Sequence, residues 1–590
     1  MNSIPRPVRR RLLAVLPSVL DSALRSRYYR QSLARRAALR LSAARIRRRH
    51  PRLLALPDVR LLSVGRRSWL CREIEHLSVE HARQAHLDLV TALLDRSGID
   101  YFVVRTGSHL RHCVAVAASE RVHFLTRIAD ELRDQPVYVS SRPRRRRRTQ
   151  HVLAADLAVE NLTAAPHIRV GQIFASGCGR LVNGLANACD IEFWEERDDR
   201  SLHAPRRNRA SSVLRPEHRV AATMVIRERP YRTVEPFATP SLAEVPFPVD
   251  VVYTWVDGED PGWRAKKERH MMLLGKGPLN DQAANSARFL SRDELKYSLR
   301  SLSMYADWVR TIYLVTDDQV PTWLDTSNPR LRLVSHREIF DRTDCLPTFN
   351  SHAIESRLHH IDGLSEHYLY LNDDVFFGRA VPAELFFHGN GLSKFFMSKA
   401  QLDLGPPEAH DQPVMSAAKN NRRLIETAFD RTITQKLKHV PHTQQRSVLF
   451  EMERLFPQQF AQTARSRFRS HDDISIASSL HHYFAYSIGR AVPGEIRYAY
   501  TDNSDPATPK RLERLRWRRD YDVMCLNDTD LTGVNADHQA DRLRTFLEDY
   551  FPLPSPFELT ASAPAELSAV PQAHASIGSA PPSVVHQLAQ

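Results

Sequence analysis

YLYLNDDVFFGR, Tyr368 to Arg379, places aromatic and aliphatic residues on both sides of Asn372-Asp373-Asp374. A buried strand does not carry two adjacent carboxylates unaided, because desolvating an unpaired charge is costly. Either the strand ends there and the acids belong to a turn, or something positive lies against them. Moving outward, two more apolar runs end in acids: DVVYTWVDG at Asp257-Gly258 and TIYLVTDD at Asp317-Asp318. Helical patterns lie between the strands. Ser291-Arg292-Asp293-Glu294 reads as a capping box before LKYSLRSLSMYADW, SHAIESRLHHIDGL reads as a helix, and RLRLVSHREIF as a strand and turn. This alternation predicts an α/β class with a parallel, doubly wound sheet. Ligands bind at the carboxyl ends of such strands, so the three acidic ends are expected to meet at one site.

Asp after a strand commonly caps a turn, but three such ends in one sheet favour a ligand. Two neighbouring carboxylates on a tight turn suit one Mg²⁺ or Mn²⁺, which takes oxygen ligands and keeps substrate phosphate as a further one. A carboxylate-held metal beside such a sheet suggests a nucleotide-diphosphate donor, whose chemistry also needs groups that neutralise charge on phosphate. KHVPHT supplies His439 and His442, and RSRFRSHDD supplies Arg465, Arg467 and Arg469. The two histidines are three apart, a spacing also found in zinc sites, but no Cys or third His recurs at a plausible distance in sequence and Pro441 disturbs a helical face. Proton transfer or phosphate contact is the expected role.

The bulk composition locates the charge. Of the net +15, residues 1–50 hold fourteen arginines against one acid, Asp21, and the other 540 residues are nearly balanced. A second run, Arg142 and Arg144 to Arg148, is local. This basicity belongs to appendages and argues against specific nucleic-acid binding. The arm, with Leu33, Ala37, Leu41 and Ala44 among its arginines, reads as a basic helix suited to an anionic membrane surface or as a solvated arm. Six cysteines without a CxxC pair suggest a reducing compartment. No apolar run is long enough for a transmembrane helix, and Leu12 to Leu20, broken by Pro17, is no convincing signal peptide. The expected location is cytoplasmic, peripheral at the inner face of the plasma membrane. The expected organisation is a basic arm (1–55), an accessory α/β domain (56–235), a proline-rich linker (236–248), a main domain (249–552) and a disordered tail (553–590) rich in Ala, Pro and Ser.

DVVYTWVDGEDPGW (Asp250 to Trp263) resembles the first signature region of the Stealth family of sugar-phosphate transferases. RDELKYSLRSLSMYADWVRTIYLVTDDQVPTWL with LYLNDDVFFG resembles the second, KHVPHTQQRSVLFEMERLFPQQF with SRFRSHDDIS the third, and VMCLNDTD (Val523 to Asp530) the short fourth. The match runs in order over about residues 249–550. It implies a modified GT-A-like Rossmann catalytic domain, a divalent metal (Mg²⁺ or Mn²⁺), and transfer of hexose-1-phosphate from a UDP- or GDP-sugar to a glycan hydroxyl, giving a phosphodiester. Lacking the long insertions of the eukaryotic members, the chain fits the bacterial polysaccharide branch. By resemblance, Asp257 and Gly258 help hold the donor, and Arg292, Asp293 and Glu294 border the same pocket. Asp373 and Asp374 hold the metal and take part in the chemistry, His442 and Arg469 activate the acceptor and stabilise the phosphoryl group, and Asn420 and Asn421 contact the donor sugar. Asp318 departs from the family's usual Gly or Asn, and no role is built on it. The alternative is a GT-A glycosyltransferase that moves the sugar without its phosphate.

Overall fold

The computed structural model describes residues 37–64, 67–141, 149–273, 292–527 and 536–559. The first 36 residues of the basic arm, the run 142–148, Ser291, Asp528, Asp530 and the tail from 560 lie outside the described residues. Residues 37–49 are helical, with Arg40, Arg45 and Arg47 to Arg49 exposed. Among the described residues no helix is long and apolar enough to cross a membrane.

In the N-terminal unit, helices Val79–Arg96 and Arg121–Glu131 pack on a sheet containing the expected strands Tyr101–Val104, Cys113–Ala117 and Val137–Ser141. Strand Cys189–Glu196 pairs in parallel with Cys113–Ala117 and antiparallel with His167–Gln172, extending that sheet to eight strands. Asp307 ties this unit to the next, accepting from Ser78 Oγ at 2.9 Å and from Arg227 at 2.6 Å. The segment read as a linker is pinned as well: the Glu244 carboxylate accepts from Arg105 at 2.6 Å.

The main unit is built on a five-stranded sheet. Its strands are β1 (Val249–Thr254), β2 (Ile312–Thr316), β3 (Leu331–Ser335), β4 (His367–Leu371) and, after a short β5 (Val375–Phe377) that leaves the sheet, β6 (His442–Gln445). The order is β3-β2-β1-β4-β6. The first four are parallel and β6 runs antiparallel to β4, so the all-parallel expectation fails at one edge. Period-two alternation sorts the side chains. Val252, Tyr313, Val315, Tyr368 and Tyr370 enter one core, while Val251, Tyr253, Leu314, Leu369 and Leu371 enter the other with Leu295, Leu299 and Leu302 of helix α1 (Glu294–Tyr305). Burial on both faces explains why these strands read as continuous apolar runs.

A second, three-stranded sheet follows β5. Strand β8 (Val523–Asn527) pairs antiparallel with β5 and in parallel with β7 (Tyr498–Asp502). The turn Asn372-Asp373-Asp374 is therefore where the chain crosses between sheets. Other expectations are corrected. SHAIESRLHHIDGL forms only the short helix Ser351–Glu355 and a 3-10 turn, Leu358–His360. The packed chain continues past 553 to Leu559: Phe557 is buried in the core, and Glu558 accepts two hydrogen bonds from Arg300.

Candidate active site

The carboxyl ends of β2, β1 and β4 are neighbours, and the acids that follow them differ in what holds them. Asp317 is neutralised by Lys266 Nζ at 2.7 Å. Asp318, at φ 60°, accepts from Ser335 Oγ at the surface. Asp257 Oδ1 accepts from the Glu259 N–H at 2.9 Å and so closes its own turn with Gly258, while its backbone exchanges two 3.0 Å bonds with the Gln319 amide. These acids shape the rim.

Asp373 differs. Its carboxylate makes no ion pair among the described residues, and burial raises its pKa well above the usual carboxylate range, with Glu294 and Asp374 adding like-charge repulsion. At the opposite end of the sheet, fully buried Asp250 accepts from Arg310 and from the N–H groups of Thr311 and Ser365. The fold thus pairs a buried acid where it serves only structure, and leaves Asp373 without a cation. Asp374 Oδ1 is buried without a hydrogen-bond partner. Both observations fit a divalent cation held by oxygen ligands.

The start of α1 completes this wall without the expected capping box. Asp293 is the N-cap residue in left-handed geometry, φ 62°, and makes no side-chain cap; the Glu294 carboxylate instead accepts from the Arg292 N–H at 2.6 Å. A capping box does form at Ser335 and Glu338. Arg292 and Glu294 are both buried, and the Glu294 charge adds to the rise in the Asp373 pKa.

His442 lies at the start of β6. It is buried, its Nδ1 lies 3.1 Å from His482 Nε2, and burial drives its pKa well below the usual imidazole value. His439 is the imidazole at the acidic turn. Because His442 pairs with Tyr370 on an antiparallel strand, His439, three residues earlier, comes level with Asp373. Its Nδ1 lies 3.8 Å from Asp374 Oδ2 and 3.4 Å from Cys525 Sγ, its Nε2 is 3.0 Å from the Asn372 amide, and its side chain is 31% exposed. Cys525 was not singled out from sequence; it reaches the site because β8 pairs Cys525 with Val375, the residue after Asp374.

Arg469 sits on a segment fastened from two sides. Asn350 Nδ2 donates to Ser466 O and Asp473 Oδ2. Asn420 Nδ2 donates to His471 O and Asp473 O, and Asn421 exchanges hydrogen bonds with Ser475. Asn420 and Asn421, expected to contact the donor sugar, are buried and hydrogen-bonded to this backbone. Arg469 Nη2 donates to Ser351 Oγ at 2.8 Å, and Arg469 and Asp373 are both among the charges around Tyr370 of β4.

Comparison with known proteins gives the family. Residues 247–272, 288–395, 438–486 and 513–567 match Stealth protein conserved regions 1, 2, 3 and 4. An exopolysaccharide phosphotransferase of Streptomyces coelicolor is 43% identical over 567 residues, 94% of this chain and 96% of that protein. The exopolysaccharide phosphotransferase CpsY of Mycobacterium tuberculosis is 35% identical over 505 residues, 85% of this chain and 92% of that protein. Among solved structures, the galactosyltransferase LgtC in complex with donor and acceptor sugar analogs aligns at TM-score 0.28 and 12% identity, over 54% of this chain and 98% of that one. Mouse xyloside xylosyltransferase 1 aligns at 0.24 and 10%, over 48% and 98%. The acid-lined turn, the fixed Arg469 and four conserved regions in order lead to one conclusion: the chain belongs to the Stealth family and is a phosphotransferase.

Proposed function

We propose that the enzyme transfers hexose-1-phosphate from a UDP- or GDP-sugar to a hydroxyl of a glycan acceptor in exopolysaccharide synthesis. The observation that carries this reading is the uncompensated acid Asp373, raised by Glu294 and Asp374 at the carboxyl end of β4. A divalent Mg²⁺ or Mn²⁺ held by Asp373 and Asp374 would supply the missing positive charge and bind the donor pyrophosphate. The acceptor oxygen attacks the phosphorus bonded to the sugar, the phosphoanhydride bond breaks, and the nucleoside monophosphate leaves. His439, with Asp374 at its Nδ1, takes the hydroxyl proton on Nε2 in place of its contact with Asn372. Arg469, held by Ser351, stabilises charge on the transferring phosphoryl group. Arg292 and Glu294 border the donor, and the turn at Asp257 and Gly258 forms its rim.

The relatives' names support phosphate transfer over transfer of the sugar alone. Phosphorus NMR of the glycan product tests the reading: a phosphodiester resonance coupled to an anomeric proton supports it, and a phosphorus-free product overturns it. The exposed arginines on the helix at 37–49 are proposed to dock the enzyme on anionic membrane. Equal flotation of intact and arm-deleted protein with anionic liposomes would refute that.

A further inference from the structure

Asp374 presents its two oxygens to different surroundings. Oδ1 is the buried, unpartnered atom, whereas Oδ2 faces a thiol and an imidazole. Three ligand atoms meet there: Asp374 Oδ2, His439 Nδ1 and Cys525 Sγ. The separations are 3.3 Å for Sγ to Oδ2, 3.4 Å for Sγ to Nδ1 and 3.8 Å for Nδ1 to Oδ2. Ligands about 2.0–2.3 Å from a tetrahedral zinc ion have mutual separations of about 3.3–3.6 Å. The three atoms therefore stand close to one face of a zinc tetrahedron before any metal arrives. A second cluster with suitable groups among the described residues behaves differently. His359 Nε2 and His360 Nε2 lie 2.8 and 2.9 Å from a single oxygen of Glu453, which also pairs with Arg357. Those are hydrogen-bond lengths around a satisfied carboxylate, and nothing there calls for a metal.

We propose that Asp374, His439 and Cys525 form a thiophilic metal site, selective for Zn²⁺ over Mg²⁺, through which zinc inhibits the enzyme. A thiolate and an imidazole suit zinc and are poor ligands for a hard cation. Three protein ligands leave a fourth position open, and Asp374 and His439, 18% and 31% exposed in their side chains, give access from solvent while Cys525 is buried beneath them. Next to His439 Nε2, the Asn372 amide is placed to hold the ring as an outer-sphere partner. On binding, the thiol proton passes to solvent and Zn²⁺ takes the sulfur and nitrogen lone pairs. The metal fixes His439 and draws off Asp374 Oδ2, so the imidazole no longer serves as a base. This inhibitory consequence rests on the proposed role of His439; the metal site rests on the geometry alone.

The test uses the full chain, stripped with chelator and titrated with Co²⁺, whose bond to a thiolate gives a near-ultraviolet charge-transfer band. One Co²⁺ per chain with that band, displaced by Zn²⁺ and absent in Cys525→Ser, is expected. A band retained in Cys525→Ser, as from the exposed Cys178, or no band in the wild type, overturns the site. His439→Asn, a change at a more exposed position, should weaken Co²⁺ binding at least tenfold and serves if Cys525→Ser fails to fold. Zinc titrated into the phosphotransfer assay in excess Mg²⁺ should inhibit the wild type, and at least tenfold more weakly in Cys525→Ser relative to that variant's zinc-free rate. A cobalt band without zinc inhibition overturns the inhibitory role. Absence of phosphotransfer with every donor would count against the function and leave the cobalt result standing.

Discussion

Replacing Asp373 with Asn should stabilise the metal-free protein while abolishing activity. The folded-state pKa of Asp373 lies above its unfolded value. The sign follows from linkage: the acid costs nothing below its unfolded pKa, its penalty grows as pH rises from the unfolded to the folded pKa, and it is full above the folded value. At an effective dielectric of about 20, like charges within roughly 4–8 Å of one another repel by about 2–4 kcal/mol. Proton uptake relieves part of this, leaving a gain of about 1–3 kcal/mol for the neutral amide at pH 7. At about 2 °C per kcal/mol for a unit of this size, Asp373→Asn should melt about 2–6 °C higher than wild type in EDTA at pH 7. The difference should shrink towards zero below about pH 3, where the wild-type acid is protonated in both states. Adding Mn²⁺ should raise the wild-type midpoint and leave the variant unmoved, because only the wild type keeps the paired carboxylates that bind it. Thermal melts followed by circular dichroism, with and without chelator, provide the assay. A variant that melts below wild type in EDTA at pH 7 would refute the like-charge reasoning.

Further outcomes follow from the same geometry. Arg469→Lys should lower kcat by about 100-fold or more with a smaller change in donor KM, because an ammonium cannot keep the Ser351 contact and reach the phosphoryl group together; steady-state kinetics would show it. His439→Gln should lower kcat by about 100-fold or more, whereas His442→Gln, altering a buried ring paired with His482, should lower it far less; steady-state kinetics of the two variants would show the split. Asn421→Ala should cost about 1–3 kcal/mol through the orphaned Ser475 groups, seen as a lower melting midpoint. Asp307→Ala should speed limited proteolysis between the two units, since it releases Ser78 and Arg227 together.

The apolar runs at 250, 312 and 368 were legible because both faces of the sheet are buried, and the acids after them marked its ligand-binding edge. Sequence could not say which acid lacked a cation. That depends on Lys266 reaching Asp317 and on the Glu259 N–H closing the turn at Asp257. Nor could a three-residue spacing choose between His439 and His442; only the antiparallel register of β6 against β4 turns the first to the acids and buries the second. Cys525, 151 positions from Asp374 in the chain, arrives through the pairing of β8 with β5. A signal existed in the turn itself, since a chain that leaves one sheet after Leu371 must find another partner strand. For Asn420 and Asn421 residue type alone could not decide, because an amide that fastens a loop and one that grips a sugar read the same in sequence.

The central claim is that bond breaking occurs at phosphorus. Purified enzyme incubated with UDP- and GDP-sugars, Mg²⁺ or Mn²⁺ and a glycan acceptor, with the released nucleotide separated by chromatography, tests it directly. UMP or GMP released in step with an acceptor-bound sugar phosphate is the predicted result. UDP or GDP released with a phosphorus-free product would contradict it and remove the phosphoryl-stabilising role given to Arg469.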